Sequence, residues 1–326
     1  MNSNRQNRTI RHSGVAIAAL IATAVTFAQP AARAQCPVTQ IASGLEGPVG
    51  ITISNKGNLL VSEKGTRTPN TGRISIVDPA GNRRTLIDGL PSGISFEGDN
   101  DPSGVGGLFL RGRTLYVAVG VGDAVQAGPT PGTTLPNPHP SSPLFSSVLA
   151  LHFSAGVEKA TGGVTLTAAD QQQLANHQRV ILSTSNGCRI TVELVANFPN
   201  YTRSPLPFFA DNVRNSNPFD LVRVNNQLYV SDGGQNKIWR VDINSGDFSV
   251  LARFAPIPNP LPFGPPAVEA VPTGITYLDG HLLVTLFRGS IPCRGVRGRK
   301  SRPEHRQPPP VHLGLKDSHR CLGRPI

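Results

Sequence analysis

Four stretches of the chain repeat one pattern of apolar and polar positions. Each has a turn with Pro or Gly, a short apolar strand, a second turn, and a second strand of β-branched or aromatic residues, usually ending near an acid. Pro48-Val49-Gly50-Ile51 leads to Asn58-Leu59-Leu60-Val61-Ser62-Glu63, and Gly104-Val105-Gly106-Gly107-Leu108 leads to Thr114-Leu115-Tyr116-Val117-Ala118-Val119. Pro218-Phe219-Asp220-Leu221 leads to Gln227-Leu228-Tyr229-Val230-Ser231-Asp232, and Pro272-Thr273-Gly274-Ile275 leads to His281-Leu282-Leu283-Val284-Thr285. A third strand follows twice, at Gly72–Asp78 and Asn236–Asp242, and a fourth follows each, at Arg84–Ile87 and Phe248–Leu251. Such alternation over short runs bounded by turn residues predicts strands.

Aligned on Gly50, Gly106, Asp220 and Gly274, the repeats are spaced by 56, 114 and 54 residues. Four short strands per repeat of about fifty residues predict propeller blades. A four-stranded blade buries its faces only against its neighbours, and ring closure leaves few open edges. The expected fold is therefore all-β, a six-bladed β-propeller over residues 36–288; a β-sandwich is the alternative. The 114-residue gap spans two periods. Phe145–Phe153 and Arg189–Val195 read as the third and fourth strands of the second blade, with Ala155–Gly187 inserted between them; the competing reading makes part of 155–200 a worn-down blade. Ala168–Gln178 is the one stretch with a helical pattern of any length.

Gly (34) and Pro (30) agree with many strands joined by tight turns. Charge changes the picture only once it is located. Of the net +11, residues 1–35 carry +4 and residues 289–326 carry +7, so the body between them is neutral. A pI near 10.2 then reflects the two ends rather than a basic face, and nucleic acid is not an expected partner. Arg5, Arg8 and Arg11 precede an uncharged apolar run, Gly14–Ala28, and Ala32-Arg33-Ala34 supplies small residues for cleavage. Residues 1–34 thus read as a signal peptide, too short in their apolar run for the roughly 20 residues of a membrane span. The mature chain is expected to be exported, periplasmic or extracellular, with no stable membrane span. Cys36, Cys188, Cys293 and Cys321 lie outside any C-x-x-C; Cys36 pairs with Cys188, or the thiols are free.

In its most specific stretches, Ile41–Ile51, Asn215–Leu221, Ser231–Asp242, Pro272–Ile275 and Leu286–Gly289, the chain resembles the ScyD/ScyE family of exported propellers, relatives of NHL and six-bladed propellers. The resemblance covers roughly residues 38–288. It implies a fold and a compartment and carries no catalytic residues over. The sequence departs from it after Gly289, where Cys293–Arg302 is basic and a Pro run with scattered His comes next, with no repeat pattern. Residues 289–326 are expected to be a disordered or frame-shifted tail, leaving the propeller incomplete at that end; a native basic tail for an acidic partner is the alternative.

No G-x-S-x-G, H-E-x-x-H, Walker or complete G-x-G-x-x-G motif occurs. The candidate site residues are oxygen donors at strand ends. Glu63, Asp123, Asp220, Asp232 and Asn236 occupy positions near a propeller's axial channel, where such groups can hold Ca2+ and activate water for ester or lactone hydrolysis. Asp and Asn that cap turns have the same signature. Asp99, Asn100 and Asp101 form a second oxygen-rich cluster in a Gly-rich loop. Taken together, the sequence predicts an exported propeller that binds a small molecule or protein on one face, without identified catalytic machinery. The alternative is a metal-assisted hydrolase of the lactonase or gluconolactonase-like propeller type.

Overall fold

The structure, a computed structural model, describes residues 39–96, 101–160, 162–259 and 262–287, and the backbone of 311–314. The chain divides into Met1–Gln40 and Ile41–Ile326, and every element described below belongs to the second unit. The stretch read as a signal peptide, residues 1–34, together with Asp99 and Asn100, Cys36, Cys293 and Cys321, and nearly all of the tail, lies outside the described residues.

The second unit is an all-β fold of propeller type. Its first sheet is a four-stranded antiparallel meander, Pro48–Ile53, Leu59–Glu63, Gly72–Val77 and Arg83–Leu90. The second runs Pro102–Arg111, Thr114–Val119, Ser147–Phe153 and Arg189–Asn197. The third runs Pro218–Val224, Gln227–Asp232, Lys237–Asp242 and Phe248–Arg253. The fourth pairs Val271–Leu278 with His281–Phe287, and its next strand, Val311–Gly314, adds in parallel rather than continuing the meander.

Residues 155–187 are an insertion, as one of the two readings expected. They form a short helix Ala168–Ala175, closed by a Thr167/Asp170 capping box, and strands Val164–Thr165 and Val180–Ser183 that extend the edges of the first and second sheets. The Pro-rich loop after Gly122 is a small hairpin, Val125–Ala127 with Thr134–Pro136. Cys188 is a free thiol among the described residues, and its expected partner Cys36 lies outside them.

The sheets stack face to face. Leu60, Ile74, Ile76 and Leu86 of the first pack with Leu115, Val117, Leu149 and Leu151 of the second. Tyr116, Ala118, Val148 and Ala150 of the second pack with Leu221, Leu228, Val230 and Trp239 of the third, and Tyr229 and Ile238 of the third with Ile275, Leu282 and Val284 of the fourth. Alternating strand residues therefore serve two different interfaces, which is why the strands read as near-continuous apolar runs.

The first strands of the four sheets lie beside one another, and each carries a bulge at the same place: between Pro48 and Ile51, Val105 and Leu108, Pro218 and Asp220, and Pro272 and Ile275. The Pro/Gly turn of every repeat is this bulge. Backbones approach closely here. A Cβ on Gly50 would come within 2.6 Å of the Gly106 carbonyl oxygen, and one on Gly106 within 2.6 Å of the Phe219 carbonyl oxygen. A hydroxyl eleven or twelve positions on serves three of the bulges, accepting a hydrogen bond from the bulge amide: Ser62 from Gly50, Ser231 from Asp220, Thr285 from Gly274. Ser62 and Ser231 then donate to the next sheet, at Gly106 O and at Thr273 O (2.6 Å). The second sheet has Ala118 in this position.

Candidate ligand cleft on the blade axis

Three of the four bulges place Gly at the aligned position, and the third repeat places Asp220 there. This one difference puts a carboxyl group among the packed first strands. Asp220 Oδ1 accepts from the Leu221 amide at 2.8 Å and Oδ2 from the Ile275 amide, in the fourth sheet, at 3.0 Å. On the other side it lies against Gly107 of the second sheet, where a Cβ would come within 2.2 Å of Oδ1. Among the described residues no Lys, Arg or His forms an ion pair with it. Burial pushes the carboxyl above its ordinary range, and the two backbone amides only partly offset this.

Asp220 lines a cleft of about 190 Å³ between the first three sheets. Val49, Gly50, Ile51, Gly107, Leu108 and Phe219 line the rest of it. The cleft is smaller than the few hundred Å³ of a drug-sized pocket, so it suits a small ligand or one group of a larger one. An ionised carboxylate there can receive an ammonium or another strong donor; protonated, it can donate. A divalent cation would need more oxygen ligands than this single carboxylate supplies.

The other sequence-predicted site residues lie elsewhere, each engaged in its own surroundings. Glu63 is fully buried; it accepts from Arg73 Nη2 at 2.7 Å, Arg83 Nη2 at 3.2 Å, the Ser75 hydroxyl and the Glu46 amide at 2.6 Å. Burial alone would raise this carboxyl, but the hydrogen bonds from Arg73, Ser75 and Glu46 outweigh it and hold Glu63 below its usual range. Asp123 Oδ1 accepts from the Ser141 amide and hydroxyl and pins the Pro-rich loop. Asp232 is fully buried under four donors. Asn236, in the left-handed region at φ 50°, donates to Glu269, and its buried Oδ1 has no partner among the described residues. Among the described residues no three His, Cys, Asp or Glu converge as a metal site.

Asp220 is thus legible in the sequence as a strand-end acid, whereas the apolar residues around it are not. The signal for Asp220 was an oxygen donor at a strand end, which it shared with Glu63, Asp123, Asp232 and Asn236. Nothing local marks Val49, Ile51, Leu108 and Phe219, because they meet only when three bulges stack.

No family model and no curated protein matches the chain. Among solved structures, the computationally designed Ika4 protein is 9% identical, with 77% of this chain and 93% of that one covered and a TM-score of 0.32. The PQQ-bound form of aldose sugar dehydrogenase from Streptomyces coelicolor is 16% identical, with 79% and 80% covered and a TM-score of 0.27.

Proposed function

We propose that this chain is an exported propeller of the ScyD/ScyE kind that binds a small ligand at the axial cleft, with Asp220 as its polar anchor. The carrying observation is the placement of Asp220. A buried carboxyl without a cationic side-chain partner among the described residues is costly to fold around, and a ligand donor would offset that cost. The chemistry that fits is an ammonium or strong hydrogen-bond donor on a compact apolar body, for the Val49, Ile51, Leu108 and Phe219 walls. The arginines and apolar run of residues 1–34 support export, and the neutral body of the chain argues against nucleic acid as the partner.

The test uses thermal unfolding with benzylamine, benzyl alcohol and calcium chloride on the wild type and Asp220→Asn. Benzylamine is expected to raise the wild-type Tm, approaching the roughly 2.7 kcal/mol of a ligand at 100 times its Kd, while benzyl alcohol does not and Asp220→Asn abolishes the shift. Benzylamine without effect on the wild type overturns the reading. A calcium shift that Asp220→Asn removes would favour the metal-assisted hydrolase in its place.

A further inference from the structure

A second polar array lies away from the cleft, on the face of the second sheet that packs toward the third. The strand register puts Arg111, Thr114, His152 and Thr191 in one row across this sheet, and Phe109, Tyr116, Ala150 and Glu193 in the next. Thr114 Oγ1 lies 3.0 Å from His152 Nδ1, and His152 Nε2 lies 2.8 Å from Glu193 Oε1. Glu193 Oε2 pairs in turn with Arg179 Nε at 2.7 Å.

The proton positions follow from donor and acceptor inventory. An ionised carboxylate only accepts, so Nε2 carries the imidazole proton. In the neutral imidazole Nδ1 is then an acceptor, to which the Thr114 hydroxyl donates. This is the order of an activated nucleophile: hydroxyl, base, and a carboxylate that fixes the base's tautomer and orientation. The array is open to solvent. The His152 side chain is 40% exposed, and Arg111, Gly112 and Arg113 beside Thr114 are exposed. Arginines surround it. Arg179 is held by Glu193 and Arg223 donates to Tyr116 Oη at 2.8 Å, while Arg111 stands opposite Thr114 in register.

We propose that Thr114, His152 and Glu193 form an acyl-transfer site for small esters that carry an anionic group, with Arg111 receiving the negative charge. Thr114 Oγ1 attacks the ester carbonyl carbon as its proton passes to His152 Nδ1. The bond to the alkoxy group then breaks, and the departing oxygen takes that proton and leaves as the alcohol. A water molecule, deprotonated by Nδ1, attacks the acyl-Thr114 ester; the proton returns to Oγ1 and the carboxylic acid leaves. No oxidant, metal or further reactant is required, and the site is independent of the axial cleft.

The test is labelling of the full chain with a fluorophosphonate, read by intact mass and peptide mapping. One adduct is expected, on the peptide containing Thr114. Thr114→Ser should label faster, because its primary hydroxyl is less hindered. Thr114→Val, which keeps the side-chain shape, should not label, and His152→Ala should label at least about 100-fold more slowly, the usual worth of a general base. A 4-nitrophenyl hemisuccinate should be cleaved in preference to 4-nitrophenyl butyrate, with Arg111→Ala removing the preference. Absence of a Thr114 adduct in both wild type and Thr114→Ser, with unfolding transitions intact, overturns the proposal. So does labelling that His152→Ala leaves unchanged, or an Arg111-independent ester preference.

Discussion

Replacing Asp232 should be among the most damaging single changes in the third sheet. Its fully buried carboxylate accepts from the Asn217 amide at 2.8 Å, the Gln235 amide at 3.0 Å, the Ser216 hydroxyl at 2.6 Å and Trp239 Nε1 at 2.8 Å. These donors come from the turn before the sheet's first strand, the turn after its second, and its third strand, so one side chain fixes three segments. Trp239 stacks on Phe198 at 5.0 Å and meets Phe248 edge-on at 5.3 Å, with Lys237 Nζ 3.9 Å above its ring. In Asp232→Ala the two amides and the indole N–H cannot turn away, whereas the Ser216 hydroxyl can. Three stranded donors at about 1–3 kcal/mol each, partly relieved by water entering the space, give a loss of about 4 kcal/mol. That is a large part of the ~5–15 kcal/mol that holds a typical domain folded. Lys237 adds to the loss: burial already lowers its pKa, the Asp232 charge opposes that, and the substitution removes the charge. Asp232→Asn keeps one acceptor oxygen and should lose about half as much, ~2 kcal/mol. The chain has one Trp, so urea unfolding followed by intrinsic fluorescence reports on this very contact. The expected order of midpoints is wild type, Asp232→Asn, Asp232→Ala, with redder native emission in the last. An Asp232→Ala loss below about 1 kcal/mol, or equal losses in the two variants, would refute the donor count.

Two further perturbations test the placement of charges and of the cleft. Glu63→Gln breaks a buried pair and should cost about 3 kcal/mol at neutral pH. Because Glu63 is held below its ordinary 4.5, its contribution is present above that pH and is lost as pH falls through the folded value; Tm against pH should show wild type and variant converging in acid, and a constant gap would count against the assignment. Gly107→Ala drives a methyl to within 2.2 Å of Asp220 Oδ1 and 2.6 Å of its Cα, so the second and third sheets must part locally. Overpacking of this kind costs about 1–3 kcal/mol, measurable by urea titration, and should abolish the benzylamine shift; retention of both stability and shift would show that the cleft wall is not where Asp220 is read.

The blade strands are legible in the amino-acid sequence, because period-two alternation between turn residues is local. The third and fourth strands of the first sheet were legible at Gly72–Asp78 and Arg84–Ile87 and form at Gly72–Val77 and Arg83–Leu90. The second sheet's last two strands were legible across the insertion between them for the same reason. What the acids do depends on how the sheets pack. Glu63 and Asp232 carry the same sequence signature as Asp220, an acid beside an apolar strand, yet the first is closed by Arg73 and Arg83 and the second by backbone amides and an indole. Asp220 faces a cleft whose walls come from Val49, Ile51, Leu108 and Phe219, over a hundred residues apart at the extremes. The Thr114, His152 and Glu193 array is likewise a matter of register, three adjacent strands brought level by the pairing of Thr114 with His152 and of Ala150 with Glu193. Strand formation is set by neighbours along the chain, whereas a carboxyl's protonation and partners are set by which strands pack around it, and no local pattern encodes that.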